Sequence, residues 1–240
     1  MKAALSLSIF LLSFTLSAAQ TLTFATHTRA PLSLYLTEVI NRALNPLNIN
    51  VDVHEMPGRR VIYQVNNGEI DGDLSRVKNF KQISNDDTQN YLRINEAIVH
   101  TEIVMITLAN TKVEKVDWSR VNKGNVAFLR GSKTIRKNIK KPQRIAVSSN
   151  IQALKMVVNQ RAYSAVMFAS VAKKLLNDNP ELKQQLTIQA QPITSYDQFP
   201  YVNKKHAWLR TKLEKRLKQL KATGELQLIA NKYWILAPKL

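Results

Sequence analysis

The sequence predicts an α/β fold in two lobes, each a mostly parallel sheet flanked by helices. Three observations lead there. Short β-rich runs alternate with helical stripes over residues 21–75, the alternation starts again at Asn125, and a long apolar segment at 98–109 lies between the two series. Strands that alternate with helices build parallel sheets with right-handed crossovers. The 98–109 segment is rich in Ile, Val and Thr, exceeds an ordinary strand and carries no helix cap. A strand that leaves one lobe and enters another has that character.

The elements follow in order. Residues 21–25 form a strand that 28–31 interrupts. Leu36, Ile40 and Leu44, with Val39 and Ala43, make the apolar stripe of a helix over 32–44, ended by Asn45-Pro46. Residues 49–53 alternate apolar and polar as a second strand. Pro57-Gly58 opens an element with Val61, Ile62 and Val65 on its apolar face, and Asn67-Gly68 stops it. Residues 70–75 give the third strand. Beyond the long segment come a strand at 125–129, a helix at 132–139 and a strand at 144–147. A helix at 151–159 follows, with N-caps available from Ser148-Ser149-Asn150. A strand at 164–168, a helix at 171–176 and a strand at 186–190 come next, and 192–200 reads as a connector. In the tail, Leu209, Leu213, Leu217 and Leu220 make one helical stripe that Gly224 closes, and Leu226, Ile229, Tyr233 and Trp234 make a second.

The N-terminus predicts export. Lys2, an apolar run over 3–16 and the small residues Ser17-Ala18-Ala19 are the three parts of a cleaved secretory signal over 1–19. The apolar run is too short and too rich in hydroxyls to cross a bilayer, which takes about 20 residues, so a periplasmic location is expected. The absence of cysteine excludes disulfides, thiolate metal sites and cysteine nucleophiles. The net charge of +18 is unevenly placed. Residues 20–109 hold 8 Lys/Arg against 10 Asp/Glu, residues 110–194 hold 16 against 4, and residues 195–240 hold 10 against 3. Export argues against nucleic acid as the counterpart of this basic excess. Anionic headgroups, cell-wall polymers, an acidic protein or plain solvation remain open.

Signatures of catalysis are scarce: there is no Gly-rich phosphate loop, no G-x-S-x-G and no H-E-x-x-H. No enzyme activity, cofactor or metal is expected. His27, His54, His100 and His206 are dispersed, each without a second ligand at metal spacing. Glu69, Asp71 and Asp73 share one side of a strand if it is regular, which suits acid–base work or a cation, but ordinary turn chemistry explains them better. Two places suit a ligand better. Ser75-Arg76 ends a parallel strand, where open α/β sheets place their crevice, and the guanidinium fork fits a carboxylate or phosphate. Arg130-Gly131-Ser132-Lys133 follows another strand and opens a helix, where backbone N–H groups favour an anion.

Four blocks carry a resemblance. M-P-G-R-R-V-I-Y-Q-V-N-N-G-E-I-D-G-D-L-S-R-V (56–77), V-A-F-L-R-G-S-K (126–133), Q-A-L-K-M-V-V-N-Q-R-A-Y-S-A-V-M (152–167) and the tail with Y-V-N-K-K-H-A-W-L (201–209) and L-K-A-T-G-E-L (220–226) occur in order over nearly all the mature chain. They resemble the bacterial extracellular solute-binding proteins of family 3, the ABC-type amino-acid-binding receptors, in a divergent branch. The resemblance implies a periplasmic-binding-protein-like fold of type II, with one lobe at 20–109 plus 195–240 and the other at 110–194, joined by two crossover strands. It implies a monomer that closes by a hinge on a small-molecule ligand and presents it to an inner-membrane ABC permease or a sensor protein. It places the ligand against Thr28, Arg29, Arg60, Ser75, Arg76, Gly131, Ser132 and Lys133, with His27 beside them. Arg60 matches a recurrent Arg of unassigned role. One departure bears on the ligand. Amino-acid receptors hold the ligand's ammonium with an Asp after a lobe-two strand, whereas this chain has Phe168-Ala169 there, which favours a polar or anionic solute. The alternatives are a dehydratase-like or cell-wall-related enzyme on the same scaffold, and a basic surface-interaction protein. On the solute-binding reading, Arg76→Ala is expected to abolish the ligand response and leave the fold intact.

Overall fold

Alternating strand and helix appear where the periodicity puts them. The computed structural model describes residues 20–84 and 86–238; the signal segment expected at 1–19 lies outside them. In chain order the elements are β1 (Gln20–Thr26), α1 (Leu32–Leu44), β2 (Ile49–Glu55), α2 (Gly58–Asn66), β3 (Gly72–Val77), α3 (Phe80–Ile83), β4 (Tyr91–Arg93), β5 (Val99–Leu108), α4 (Trp118–Val121), β6 (Val126–Leu129), α5 (Lys133–Asn138), β7 (Arg144–Val147), α6 (Asn150–Val158), β8 (Ser164–Phe168), α7 (Ala169–Asp178), α8 (Pro180–Gln185), β9 (Leu186–Ile188), β10 (Thr194–Asn203), α9 (Leu209–Ala222) and α10 (Glu225–Lys232).

The strands hydrogen-bond in the order β2-β1-β3-β10-β5-β8-β6-β7, with β4 also on β10 and β9 on β5. Strands β1, β2 and β3 are mutually parallel, as are β6, β7 and β8. The long strands β5 and β10 are antiparallel to each other and join the two groups.

Core packing changes partway along β5. Val99 belongs to a cluster with Leu22, Phe24, Leu36, Ile40 and the α9 residues Leu209, Leu213, Leu217 and Leu220. Four residues later, Ile103 packs with Val126, Phe128, Ile135 and Ile139, and Val104 with Ala127, Leu154 and Met167. Alternate residues of β6 thus feed opposite faces of the second group, as the two-residue period of a strand requires. The α9 leucines are at most 1% exposed, so this stripe is a core face.

Local rules account for most boundaries. The Ser149 hydroxyl accepts from the Gln152 N–H at the start of α6, as the N-cap reading required. Gly224, at φ +78, separates α9 from α10. Gly72 is fixed by close approach, since a Cβ there would lie 2.5 Å from the Phe24 ring and 2.6 Å from the Tyr201 carbonyl. One reading is corrected: the connector expected at 192–200 is largely strand β10. Its polar Ser195, Asp197 and Gln198 hid it, because the segment bonds to strands on both sides and buries little apolar surface on its own. Pro200 sits where the register shifts between Phe199 and Tyr201, a position that tolerates a residue without an N–H.

Candidate functional site

The register fixes where a site can form. Val77, the end of β3, is level with Gln198, which is level with Val99. Phe168, the end of β8, is level with Ile103. The two parallel groups therefore point their C-terminal ends at each other along β5, separated by the span from Val99 to Ile103, about 13 Å at roughly 3.3 Å per residue. The turn after β6 enters the same space from the far side, because Phe128 is level with Val166. Carboxyl ends of parallel strands are where open α/β sheets bind ligands, and here two such ends face one another. The floor is tied across its strands: His100 Nδ1 lies 2.7 Å from Asp197 Oδ1, and Gln198 Nε2 donates to Thr101 Oγ1 at 2.7 Å.

Arg76 is the best-defined side chain on the first wall. Its Nε donates to Asp73 Oδ2 at 2.5 Å, its Nη2 donates to the Gly58 carbonyl at 3.1 Å, and its guanidinium lies 4.6 Å from the Phe80 ring centre. Asp73 is fully buried and the Arg76 side chain is 11% exposed. Terminal nitrogen Nη1 has no bonding partner among the described residues. This is a planar donor set locked by a buried counter-charge, with one edge left over, a pre-organised arrangement for an anion. The Asp73 pairing also revises one expectation. Removing Arg76 would leave a buried carboxylate uncompensated, so Arg76→Ala would disturb the fold as well as the ligand.

Beside it, the Thr28 and Thr26 hydroxyls are 2.9 Å apart, and Thr26 Oγ1 is 3.4 Å from Ser75 Oγ. Thr26 and Ser75 are fully buried, so of this chain Thr28 is the member that reaches the open side. His27 keeps exposed surface, yet its imidazole pKa falls to about 4. Desolvation by the surrounding protein is the main cause, the Arg76 guanidinium adds to it, and Asp73 opposes it. His27 sits against Gly58, where an added Cβ would lie 3.6 Å from the His27 Cβ and 3.8 Å from Arg76 Nη1.

The remaining expected residues are placed as follows. Arg29 is 82% exposed and pairs with Glu55 at 3.2 Å, at the end of edge strand β2. Arg60 is exposed on α2 with no partner among the described residues. On the second wall, Gly131 has φ +92 and open space where a Cβ would be, a conformation that favours glycine. The Ser132 N–H donates to the Leu129 carbonyl at 3.1 Å, so it is not free for an anion, while the Ser132 hydroxyl makes no capping bond. Lys133 opens the six-residue α5.

The acidic cluster divides. Asp71 accepts from the Thr23 N–H at 2.8 Å, the Lys205 ammonium at 2.9 Å and His206 Nε2 at 2.6 Å, tying β1 to the segment after β10. Asp73 holds Arg76. Sequence reasoning missed Thr26, Gly58 and Phe80 as supports of this wall. Only the spacing of Phe80 four residues after Arg76 offered a signal. Among the described residues no cluster of His, Cys, Asp or Glu suits a metal ion, and no helix is long and apolar enough to cross a membrane.

Two cavities bear on the choice of site. One of about 20 Å³ lies against the crossover, bounded by Leu32, Glu102, Phe168, Ala169, Ser170 and Trp234, room for about one water. An open groove of about 730 Å³ runs beside Arg93, Glu96, Phe199 and Lys221, between the β4–β5 connection, β10 and α9. There Lys221 is already paired with Glu96 at 2.7 Å. Neither replaces the space between the facing strand ends.

No family model matches the chain. An uncharacterized protein of Shewanella oneidensis is 25% identical over 195 residues, covering 78% of this chain and 70% of that protein. Among solved structures, the YckB protein of Bacillus subtilis matches 92% of this chain and 93% of its own at 19% identity and a TM-score of 0.72. The L-cystine solute receptor of Neisseria gonorrhoeae, in its unliganded open conformation, matches 92% and 96% at 17% identity and a TM-score of 0.67. A histidine kinase sensor domain with similarity to periplasmic binding proteins matches 92% and 99% at 13% identity and a TM-score of 0.67. With a mixed α/β sheet that changes core along its crossovers and neighbours of this kind, the chain has the two-lobed fold of the periplasmic binding proteins.

Proposed function

We propose that this protein is an exported solute-binding receptor. It captures a small polar or anionic molecule between its lobes, taken as 20–109 with 195–240 and 110–194, and an inner-membrane permease or sensor protein reads the closed form. The observation that carries this reading is the opposition of the two sets of strand ends across β5 and β10, with the Arg76 guanidinium locked on one wall and the open Gly131-Ser132 turn on the other. Ligand would bridge Arg76 Nη1 and Thr28 to the Ser132 hydroxyl and the Gly131 amide. Bending of the two crossovers would close the lobes, and the solute would shift that equilibrium by its better fit to the closed state. The neighbours described as a solute receptor and a sensor domain support capture over turnover.

The test is mass spectrometry of small molecules released from the purified protein, followed by thermal-shift titration of each. A polar or anionic compound is expected to raise the unfolding temperature in a saturable way. Thr28→Val and Ser132→Ala, both mild changes, should each weaken its apparent affinity about five- to tenfold, as the loss of one hydrogen bond does. Unchanged affinity in both variants removes the interlobe site.

A further inference from the structure

Residues 130–144 hold seven Lys or Arg and no Asp or Glu. Arg130, Arg136, Lys137, Lys140 and Lys141 are exposed. Among the described residues, none of these five, nor Arg144, has a carboxylate within ion-pair distance. Among the described residues, the ion pairs within 110–194 are Lys115–Asp117 and Lys174–Asp178, both elsewhere. Concentrated like charge without counter-charge destabilises a compact state, so an unneutralised face of this density suits an external anionic partner.

The face is pre-formed. Ile135 and Ile139 are 2% and 1% exposed and pack with Val121, Val126 and Phe128. The Asn122 side chain donates to the Asn138 carbonyl at 2.9 Å and accepts from the Lys140 N–H at 2.7 Å. Arg144 Nε donates to the Ile139 carbonyl at 2.8 Å. The two isoleucines point inward and the five exposed cations outward on a pinned surface. No aromatic or branched aliphatic side chain of the segment is exposed. A protein partner with a shaped interface draws its affinity from such anchors. A diffuse anionic surface needs only charge.

We infer that the exposed cations beyond the Gly131-Ser132 turn, Arg136, Lys137, Lys140 and Lys141, dock peripherally on a bilayer of anionic phospholipid headgroups. Attraction is electrostatic, without insertion, and is therefore screened by salt.

The experiment is co-sedimentation of the full chain with vesicles, one set of phosphatidylglycerol and phosphatidylcholine and one of phosphatidylcholine alone, at about 0.1 M and about 0.5 M salt. The parent protein should pellet with the anionic vesicles at the lower salt only. Each basic residue near such a surface contributes about fivefold to partitioning, so Lys137→Glu/Lys140→Glu/Lys141→Glu should lower it about a hundredfold. The control Lys155→Glu/Lys183→Glu/Lys215→Glu makes the same change in net charge at exposed positions off this face. It should fall less than about threefold, because charges more than a Debye length of about 10 Å away are largely screened. Should either triple variant lose its parent's unfolding midpoint, the matching Lys→Gln set replaces it. Equal loss in both variants would reduce the effect to bulk charge. Failure of the parent to pellet, equal pelleting with neutral vesicles, or retention by the 137/140/141 variant would each overturn the inference.

Discussion

Replacing Arg76 by Met tests the physical core of the first wall. Met fills similar space and keeps contact with Phe80, so the perturbation is chiefly electrostatic. Asp73 is fully buried and the Arg76 side chain is 11% exposed. Breaking a buried pair by removing one partner costs about 3–5 kcal/mol, because the other charge stays buried without compensation. The weak 3.4 Å contacts from the Ser75 N–H and the Tyr91 hydroxyl to Asp73 would recover only a small part. Urea unfolding of the parent, Arg76→Met, Asp73→Asn and the double variant forms a double-mutant cycle. The expected pattern is a large loss in Arg76→Met, most of it regained when Asp73→Asn is added. If Arg76→Met unfolds within about 1 kcal/mol of the parent, Asp73 is not holding the guanidinium and the case for a pre-organised anion fork is lost.

Three further outcomes follow from packing and ionisation. Gly72→Ala, whose Cβ would lie 2.6 Å from the Tyr201 carbonyl, should lower stability by about 1–3 kcal/mol; an unchanged denaturant midpoint would show that β3 and β10 can separate there freely. For Asp71, burial acts to raise the carboxyl pKa, but the Thr23 N–H, Lys205 and His206 together outweigh it and hold it below its ordinary value. That stability is present above a pH of about 3.9, the unfolded value, and is lost as pH falls through the folded one; Asp71→Asn should flatten the acid limb of midpoint against pH, and identical curves would refute the assignment. His27 has the opposite chemistry with the same direction: the unfolded chain takes up a proton below about 6.5 that the folded chain refuses until about 4. Stability therefore falls between those values as pH drops, and an NMR titration of the His27 ring with a midpoint above 6 would refute the desolvation beside Arg76.

Most of the fold was legible because it is periodic. The α1 stripe at Leu36, Ile40 and Leu44 and the α9 leucines are core in the structure. The long 98–109 segment is β5 with a core on either side of its midpoint. What escaped was governed by neighbours distant in sequence. Strand β10 has weak alternation and a proline, and is held by β3 and β5, more than 90 residues away along the chain in each case. The short β4 likewise exists by pairing with β10. At the site, the end of β3 was readable from strand position alone. The partner of Arg76 was not, because Asp73 had a better explanation as turn chemistry and its burial depends on Tyr91 and Tyr201 packing over it. Likewise Ser75 reads as a ligand hydroxyl in sequence but is sealed behind Thr26.

The commitments of the carboxylates narrow the class of solute. Asp73 holds Arg76, Asp71 holds Lys205 and His206, Glu55 holds Arg29, and Asp197 on the floor is tied to His100. Where the resemblance to amino-acid receptors implies an acid, this chain has Phe168-Ala169 at the end of β8 and the start of α7. One nearby carboxylate remains: Glu102 on β5, half-buried against Phe168, Ala169 and Ser170 and without an ion-pair partner among the described residues. A solute ammonium in the cleft would need such a counter-charge, since burying a cation alone costs several kcal/mol. Glu102→Gln therefore separates two ligand classes on one nearly isosteric change. For an anionic solute, removing this negative charge should leave affinity unchanged or raise it about two- to fivefold, as one like charge withdrawn near a surface pair does. For a zwitterion or cation it should lower affinity by an order of magnitude or more. The thermal-shift titration of the released molecule reads the difference directly, and a loss of affinity in this variant would refute the anionic reading while leaving the interlobe site in place.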